Sequence, residues 1–449
     1  MSAIPSTGVR TRHLTLTGVL PRVGTSLAVT GGTVVSLAPS LLPRSAAVQG
    51  VLTGVLVAAV WGSTALIGRL RPHTRQSSTA RLVAFVAAGV ALVWAVACAD
   101  RWQNSLRAAM ALPTVGLAHW IQVGLWAAAV CLAVSGIARG FAAAARWLGP
   151  ARSTALAVTV AALTWFVAVP GATSAAAQHF RDTSAVVDPG LVASDGNSLV
   201  PWTTLGAEGR RFVAGTSDPR SIRTYVGLDS APDVDARAAL AVRDLDRAGG
   251  FTRGHVVVAV PTGSGWIDGE AARGIERRFG GDVAIVGQQY SYAPSWVTFL
   301  FGRTDAKESA RALFGAVSAH VAALPQQERP MVHVYGQSLG SVGGSAILDD
   351  TAAATATCSA LWAGPPAGTV HLGGATVLAN SSDPVVWWSP ALLTTAPDLT
   401  RTRVDAPVPQ WIPFVSFVQT TVDLVFSLDA PTGHGHRYGA DQGLLMPGC

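Results

Sequence analysis

MVHVYGQSLG, the segment from Met331 to Gly340, carries the clearest structural signal in this chain of 449 residues. Its first part, Met331–Tyr335, has the composition of a buried strand. The pentapeptide GQSLG, Gly336–Gly340, follows at once, and the small residues of Ser341–Ala346 predict the start of a helix. A G-x-S-x-G motif between a strand and a helix is the arrangement that presents a serine as a nucleophile.

The chemistry of this motif depends on strain at Ser338. A tight turn forces the serine into an unfavourable backbone conformation and lifts its hydroxyl clear of the sheet, and only a residue without a β-carbon fits on either side. Glycine supplies 47 residues of the chain, so the motif by itself is weak evidence for a nucleophile. The interpretation depends on the position of the motif between a strand and a helix. The alternative is a glycine-rich turn that contains an incidental serine.

Composition indicates that the chain has two dissimilar parts. The mean hydropathy of +0.37 is too high for a wholly soluble protein, whereas 13% charged residues are too many for a wholly membrane-embedded one. The net charge is +6, but many arginines lie in short loops between apolar runs. Because these arginines suit membrane topology and no nucleic-acid-binding motif is present, we expect no nucleic acid partner.

Five apolar runs in the first part have about the length needed to cross a bilayer. They are Val23–Leu42, Ala46–Gly68, Leu82–Ala99, Val115–Ala138 and Ser153–Thr173. The first contains Pro39 and several glycines and serines, so it could be re-entrant instead. Residues 1–173 are therefore predicted to form an all-α transmembrane bundle with four or five spans.

Basic residues predict how this bundle is oriented, because arginine-rich loops favour the cytoplasmic side. The loops that carry most of the arginines alternate with loops that carry few; the rich ones contain Arg10, Arg12 and Arg22, then Arg69, Arg71, Arg75 and Arg81, then Arg139, Arg146 and Arg152. This pattern predicts a multi-pass protein of the cell membrane whose C-terminal half is extracytoplasmic. Export would allow Cys358 and Cys449 to form a disulfide.

The character of the chain changes after Thr173. Residues 174–205 are interpreted as a linker, and residues 206–449 alternate short apolar strands with helical stretches. Such alternation predicts a doubly wound, mostly parallel sheet covered on both faces. The predicted strands are Ile222–Val226, His255–Val260, Val283–Gly287, Val332–Tyr335, Ser359–Ala363 and Ala375–Ala379.

A serine nucleophile needs a base and a carboxylate that orients it, which in this arrangement follow in the order acid, then histidine. Asp383 comes just after the strand Ala375–Ala379 and is the preferred acid, although Ser-Asp-Pro is also good turn chemistry. Three rivals do not follow a clear strand: Asp398, Asp405 and Asp423. His434 and His436, in the segment Gly433–Tyr438, are the only histidines after Asp383, and the sequence does not choose between them.

An oxyanion hole is expected from two backbone N–H groups. One is that of Leu339, directly after the serine, and the second is that of Thr262 or Gly263, in a loop that follows the strand His255–Val260. This loop has no Lys-Ser/Thr pair and no full dinucleotide fingerprint, and no cysteine–histidine cluster suggests a metal, so no cofactor and no metal site are predicted. Five tryptophans near these loops suit an acyl pocket, a bilayer interface or core packing: Trp266, Trp296, Trp387, Trp388 and Trp411.

The chain resembles the actinobacterial membrane-bound α/β-hydrolases that carry their own N-terminal transmembrane region. The stretches that carry the resemblance lie in both halves: Ser40–Arg44, Pro261–Trp266, Gln289–Ser295, Gly336–Gly340, Ser382–Trp388 and Gly433–Tyr438. Gln337 departs from the pattern, since many relatives would have an acidic residue there. The resemblance implies an α/β-hydrolase domain and an integral membrane location, and implies little about substrate.

These observations predict a membrane-anchored serine esterase or lipase that acts on a lipid or cell-envelope acyl ester, with the bilayer as its other partner. Two alternatives remain open at this level. An envelope acyltransferase would use the same acyl-enzyme, with an alcohol in place of water. A catalytically idle hydrolase domain could instead serve as an envelope scaffold or transport partner.

Overall fold

The computed structural model describes residues 20–70, 76–191 and 198–449. Arg10, Arg12, Arg71 and Arg75, whose charges enter the topology prediction, lie outside the described residues. The chain divides into two compact units, which are described separately. The first comprises Met1–Pro39 and Pro43–Ser153, and the second comprises Ser40–Leu42 and Thr154–Cys449.

Long helices make up the N-terminal part of the chain. They are α1 (Val23–Ser36), α2 (Ala46–Leu70), α3 (Ser78–Ala109), α4 (Leu117–Leu163) and, after a π-helical turn, α5 (Val169–Ala185). Three helical segments are long and apolar enough to cross a membrane, namely Ala46–Gly68, Ser78–Ala109 and Leu117–Ala185. Their length and apolar surface indicate that the protein associates with a membrane.

Three of the predicted apolar runs differ from expectation in their helical form. The first run yields only the 14-residue helix α1, about 21 Å long, which is less than a bilayer core of roughly 30 Å. The fourth and fifth runs lie in one helical segment that is kinked at Gly149, where φ is +74° and Pro150 follows. Helix α5 also continues to Ala185, so the predicted linker begins with helical residues.

Small residues allow close helix packing within the first unit. A β-carbon at Gly50 would lie 2.8 Å from the carbonyl oxygen of Val123, and one at Gly54 would lie 2.7 Å from that of Ala127. These two glycines are four residues apart on α2 and face the backbone of α4. Close backbone approach through small residues is a usual way for helices to associate in lipid.

The second unit is built on a six-stranded sheet in which all neighbouring strands are parallel. Its strands are β1 (Ile222–Val226), β2 (His255–Val260), β3 (Val283–Gln288), β4 (Met331–Gln337), β5 (Ser359–Ala363) and β6 (Ala375–Leu378), in the order β1-β3-β2-β4-β5-β6. All six lie within a residue or two of the predicted strands. The predicted parallel sheet is confirmed.

Helices connect and cover these strands. They are α6 (Gly206–Ala214), α7 (Val234–Arg247), α8 (Gly269–Arg278), α9 (Ser295–Phe301), α10 (Arg303–Ala323), α11 (Leu339–Ser345), α12 (Thr351–Ala356), α13 (Pro384–Trp387), α14 (Val415–Val425) and α15 (Asp441–Leu444). Every residue of β3 and β5 is buried. Because successive side chains in a strand point to opposite faces, this burial means that both faces of the sheet are covered.

The strand order creates a switch point between β2 and β4. The chain runs from β2 to β3 on one side, and from β4 to β5 on the other. In sheets of this kind, ligands bind outside the carboxyl ends of the strands at the switch point. The loop Pro261–Trp266 and the turn at Ser338 follow the carboxyl ends of these two neighbouring strands, which locates the candidate site.

Candidate active site

Ser338 occupies a strained turn between β4 and α11. Its φ is +52° and its ψ is −123°, a conformation that side-chain-bearing residues rarely adopt. A β-carbon at Gly336 would lie 2.6 Å from the Ser341 nitrogen, and one at Gly340 would clash with the carbonyl oxygen of Val260. The steric requirement for glycine on both sides of the serine is therefore confirmed.

Asp383 lies beyond the end of β6 and is fully buried. Its Oδ1 accepts a hydrogen bond from the Val385 N–H at 2.9 Å, so it also caps the short helix α13. Its Oδ2 lies 2.7 Å from Nδ1 of His436 and accepts a second 2.7 Å hydrogen bond from the Tyr438 hydroxyl. Three hydrogen-bonding groups thus hold one carboxylate in place.

His436 is the histidine that contacts Asp383, and its side chain is only 8% exposed. The imidazole is also adjacent to the residue after β5. A β-carbon at Gly364 would lie 2.8 Å from Cε1 of His436, while the preceding residue, Ala363, accepts a 2.9 Å hydrogen bond from the Ser338 N–H. The imidazole and the serine turn therefore each contact one of two consecutive residues, Gly364 and Ala363, at the end of β5.

His434 belongs to a second, separate pair. Its Nδ1 lies 3.0 Å from Oδ2 of Asp405, and its side chain is 20% exposed. Asp405, a rival acid in the sequence analysis, also accepts hydrogen bonds from the hydroxyl groups of Ser381 and Ser382. The two histidines therefore contact two different carboxylates, although only Gly435 separates them.

Ser382 joins the segments that carry the two pairs. Its hydroxyl donates to Asp405 and accepts a 2.8 Å hydrogen bond from the Gly435 N–H. On the other side of that glycine, the Asn380 side chain donates to the Gly435 carbonyl at 2.8 Å. These contacts fix the register of the histidine segment against the segment that carries Asp383.

The remaining acids have other roles. Asp398 is exposed and caps a turn by accepting the Thr400 N–H at 3.0 Å. Asp423 is buried and accepts the Leu41 N–H at 2.7 Å. In the described part of the chain, no group of three histidine, cysteine or acidic side chains is arranged to hold a metal ion.

The three predicted oxyanion donors lie in different hydrogen-bond environments. Leu339 is the first residue of α11, where a helix leaves its N–H groups without an intrahelical acceptor. The Thr262 N–H donates to the Trp266 carbonyl at 2.9 Å, which closes its own loop. The Gly263 N–H donates to the Ser295 hydroxyl at 3.3 Å, a long bond to an exchangeable partner.

The five tryptophans do not share one environment. Trp387 is buried and donates to the Ser381 carbonyl at 2.9 Å, so it supports the segment next to Asp383. Trp388 and Trp411 are partly buried and donate to Thr421 and to the Leu392 carbonyl. Trp266 is partly buried, whereas Trp296 is 67% exposed. No single role therefore applies to all five tryptophans.

Tyr438 is the residue at this site that the sequence did not single out. Burial, the nearby charge of Asp383 and the hydrogen bond to that carboxylate raise the pKa of Tyr438 well above its usual value, so its hydroxyl remains a donor. The available signal was its position two residues after a candidate base. That signal does not reveal which group the hydroxyl reaches.

Two models of one family match this chain. The model described as an alpha/beta-hydrolase family matches residues 222–376 and 373–444, and the one described as the N-terminus of that family matches residues 37–216. The first includes the whole sheet, the serine turn and both histidines. Comparisons with curated proteins and with solved structures found no match.

Proposed function

This chain belongs to an α/β-hydrolase family, and on that premise we propose that it is a membrane-anchored serine hydrolase of the esterase or lipase type. One observation carries the proposal. His436 forms a 2.7 Å hydrogen bond with the buried carboxylate of Asp383, beside the strained turn that presents Ser338. A strained serine, a histidine and a buried acid are the three groups that serine hydrolysis requires.

In the proposed reaction, the hydroxyl of Ser338 attacks the carbonyl carbon of an ester while His436 takes the hydroxyl proton. Asp383 holds the imidazole with Nδ1 protonated, so that the other ring nitrogen is free to act as the base. His436 then gives the proton to the departing alcohol, and an acyl-enzyme remains on Ser338. Water repeats the sequence, releases the carboxylic acid and restores the serine.

The tetrahedral intermediates carry a negative charge on the former carbonyl oxygen. We assign its stabilisation to the N–H groups of Leu339 and Gly263. Thr262 is the weaker candidate because its N–H already donates within its own loop. The hydroxyl of Ser295 would have to yield the Gly263 N–H to the oxyanion, and the length of that bond, 3.3 Å, supports such an exchange.

His434 and Asp405 are proposed to position the histidine segment and not to transfer protons. Their contact, with the Ser382 hydroxyl, anchors the residues on both sides of Gly435. Catalytic groups need support of this kind, since small displacements at a reacting centre reduce the rate strongly.

The catalytic unit is proposed to be extracytoplasmic. The distribution of arginines among the loops supports this orientation. The Cys358–Cys449 disulfide, with its α-carbons 5.1 Å apart, supports it independently, because disulfides persist in oxidising compartments. With this orientation, a lipid or cell-envelope acyl ester is the substrate class within reach, and we propose no nucleic acid partner.

Labelling with a fluorophosphonate probe tests the reaction directly. The full-length protein in detergent or nanodiscs should be labelled and Ser338→Ala should not. The control Ser345→Ala, at the end of the helix that follows Ser338, should be labelled like the wild type. No labelling of the wild type, or equal labelling of Ser338→Ala, would refute the proposal. Product analysis with added alcohols then separates hydrolysis from acyl transfer.

A further inference from the structure

Helix α9 exposes three large apolar side chains on one side. Trp296 is 67% exposed, Leu300 52% and Phe301 83%. The opposite side of the helix is packed: Thr298 is buried, and Phe299 lies against a small core cluster that includes Leu339. Trp296, Leu300 and Phe301 are called the outer face of α9 below. A helix with one packed face and one fully apolar exposed face is unusual for a surface in water.

The same helix is attached to the proposed oxyanion loop. Ser295, its first residue, accepts the hydrogen bond from the Gly263 N–H at 3.3 Å. A β-carbon at Gly263 would lie 2.7 Å from the Thr298 hydroxyl and 2.8 Å from the Ala293 carbonyl, so loop and helix are in direct contact. The outer face of α9 is therefore only one helix thickness from the site around Ser338.

The position of α5 indicates what covers this face. The guanidinium of Arg181 on α5 lies 5.5 Å from the ring centre of Tyr292, three residues before α9. Arg210 donates to the carbonyls of Ser184 and Val186, which fixes the end of α5 to the catalytic unit. All these residues belong to the second unit.

Helix α5 is the end of a segment that is apolar enough to cross a membrane. Its first amide or charged side chain is Gln178, and Arg181 lies only about 5 Å further along the helix axis. The segment that leads into α9 thus touches α5 close to the level at which that helix leaves the apolar layer. A bilayer surface is the partner that this position supplies.

We propose that the outer face of α9 docks into the interface of the bilayer that holds the chain's own apolar helices. Tryptophan and phenylalanine beside polar flanks suit the boundary between head groups and acyl chains. An exposed arginine, Arg303, lies two residues after the end of α9 and can remain among the head groups. Docking would bring lipid esters to the side of the site that carries Gly263, and this catalytic consequence rests on the function proposed above.

Spin-label depth measurements test the docking without any need for activity. A nitroxide is attached to Phe301→Cys in the full chain with Cys98→Ser and Cys131→Ser, in nanodiscs of phosphatidylethanolamine and phosphatidylglycerol. The control label is at Met331→Cys, which is 48% exposed at the amino end of β4, away from the site. We expect the label at 301 to collide more with oxygen than with a nickel chelate, and the label at 331 to show the reverse.

Two results would overturn the docking. A label at 301 as accessible to nickel as the control would place it in water. A label shielded from both oxygen and nickel would indicate a protein partner or a second copy of the chain. If fluorophosphonate fails to label Ser338, the proposed reaction fails, yet the depth measurement still decides the docking.

A ratio of two hydrolysis rates gives a second test of the docking. Unfolding would lower both rates together and would leave their ratio unchanged. The double variant Trp296→Ser/Phe301→Ser should lower the ratio of hydrolysis of a bilayer-resident fluorogenic ester to that of a short soluble ester by roughly tenfold, because apolar contact with lipid is lost. Met331→Ser, on the opposite end of the sheet, should leave this ratio unaltered. An unaltered ratio in the double variant would contradict the proposal.

Discussion

Tyr438 and His436 both form hydrogen bonds with a single atom, Oδ2 of Asp383, each at 2.7 Å. The Tyr438 hydroxyl also accepts the N–H of Asn380 at 3.2 Å. Two residues of the histidine segment therefore hold the acid, and Asn380, three residues before the acid, holds one of them, Tyr438. This arrangement ties the proposed acid and base into one hydrogen-bonded unit.

Tyr438→Phe keeps the ring and removes this link. The Asn380 N–H loses its acceptor and Asp383 loses a donor, so we expect a loss of about 1 to 3 kcal/mol in the free energy of unfolding. The rate of fluorophosphonate labelling should fall as well, since Asp383 is less firmly held. Tyr335→Phe removes another buried hydroxyl, bonded to Gln442 at 2.6 Å, and serves as the control. Equal effects on labelling in both variants would argue against a specific role for Tyr438.

The two histidines should respond very differently to substitution. His436→Ala removes the partner of Asp383 and should reduce the rate of hydrolysis by roughly 10³-fold or more, as expected for a general base that acts with a nucleophile. His434→Ala leaves Asp383 and His436 intact and should reduce the rate by about tenfold or less. Initial rates with a soluble ester distinguish the two. A larger loss in His434→Ala would reverse the proposed roles.

Gly364 provides a test of the space beside the imidazole. Gly364→Ala adds a carbon 2.8 Å from His436 Cε1 at a residue with φ of +52°, so activity should fall sharply while the protein still folds. Gly368→Ala is the matched control, because its φ is +67° and no atom lies within 4 Å of the added carbon. Both variants share the cost of a positive φ, about 1 to 3 kcal/mol. Retained activity in Gly364→Ala would mean that the imidazole is not confined there.

The stability of the catalytic unit should depend on pH through His333. Burial, then the neighbouring His255 and Arg278, lowers the pKa of His333 to about 4, and its ring bridges His255 and Ser359 at 3.0 and 2.7 Å. The unfolded chain takes up this proton near pH 6.5. The contribution of neutral His333 to the free energy of unfolding is therefore fully present above about pH 6.5. It is lost as the pH falls toward 4, by roughly 3 kcal/mol in total.

Thermal midpoints at pH 7, 5 and 4 measure this dependence. His333→Gln should be less stable at pH 7 and should lose less stability on acidification. His371→Gln alters an exposed side chain and should keep the wild-type pH dependence. If wild type and His333→Gln decline in parallel between pH 6.5 and 4, the assignment to His333 is wrong.

Thiol alkylation tests the Cys358–Cys449 pairing. With the protein unfolded in detergent but not reduced, only Cys98 and Cys131 should react, and reduction should raise the count from two to four. Mass spectrometry of the intact chain reads this directly. Four reactive thiols without prior reduction would contradict both the pairing and the support it gives to an extracytoplasmic location.

The sheet was predictable because its determinants are local. His255–Val260 and Ser359–Ala363 are short runs of β-branched or apolar residues, and each agrees with the structure at both ends. The position of the proposed acid also follows from a local pattern, because Asp383 comes after the last strand and precedes a proline that starts α13. In both cases a pattern of a few residues specifies the outcome.

The choice between His434 and His436 was not accessible from sequence. Both are flanked by glycine, so their local signals are nearly the same. What separates them is the register of their segment against Asn380 and Ser382, which are more than fifty residues away in the chain. The exposure of the outer face of α9 was equally unpredictable from sequence. A short, mostly apolar helix has the same pattern whether its apolar side chains are buried or exposed.

The disulfide between Cys358 and Cys449 closes a ring across a sequence separation of 91 residues. Asp383, Asp405, His434, His436 and Tyr438 all lie inside this ring, whereas Ser338 lies outside it. A protease that cuts the exposed segment around Thr400 would therefore release no fragment. The nicked protein would keep the proposed acid and base on one covalently joined molecule, and it would separate into two bands on a gel only after reduction.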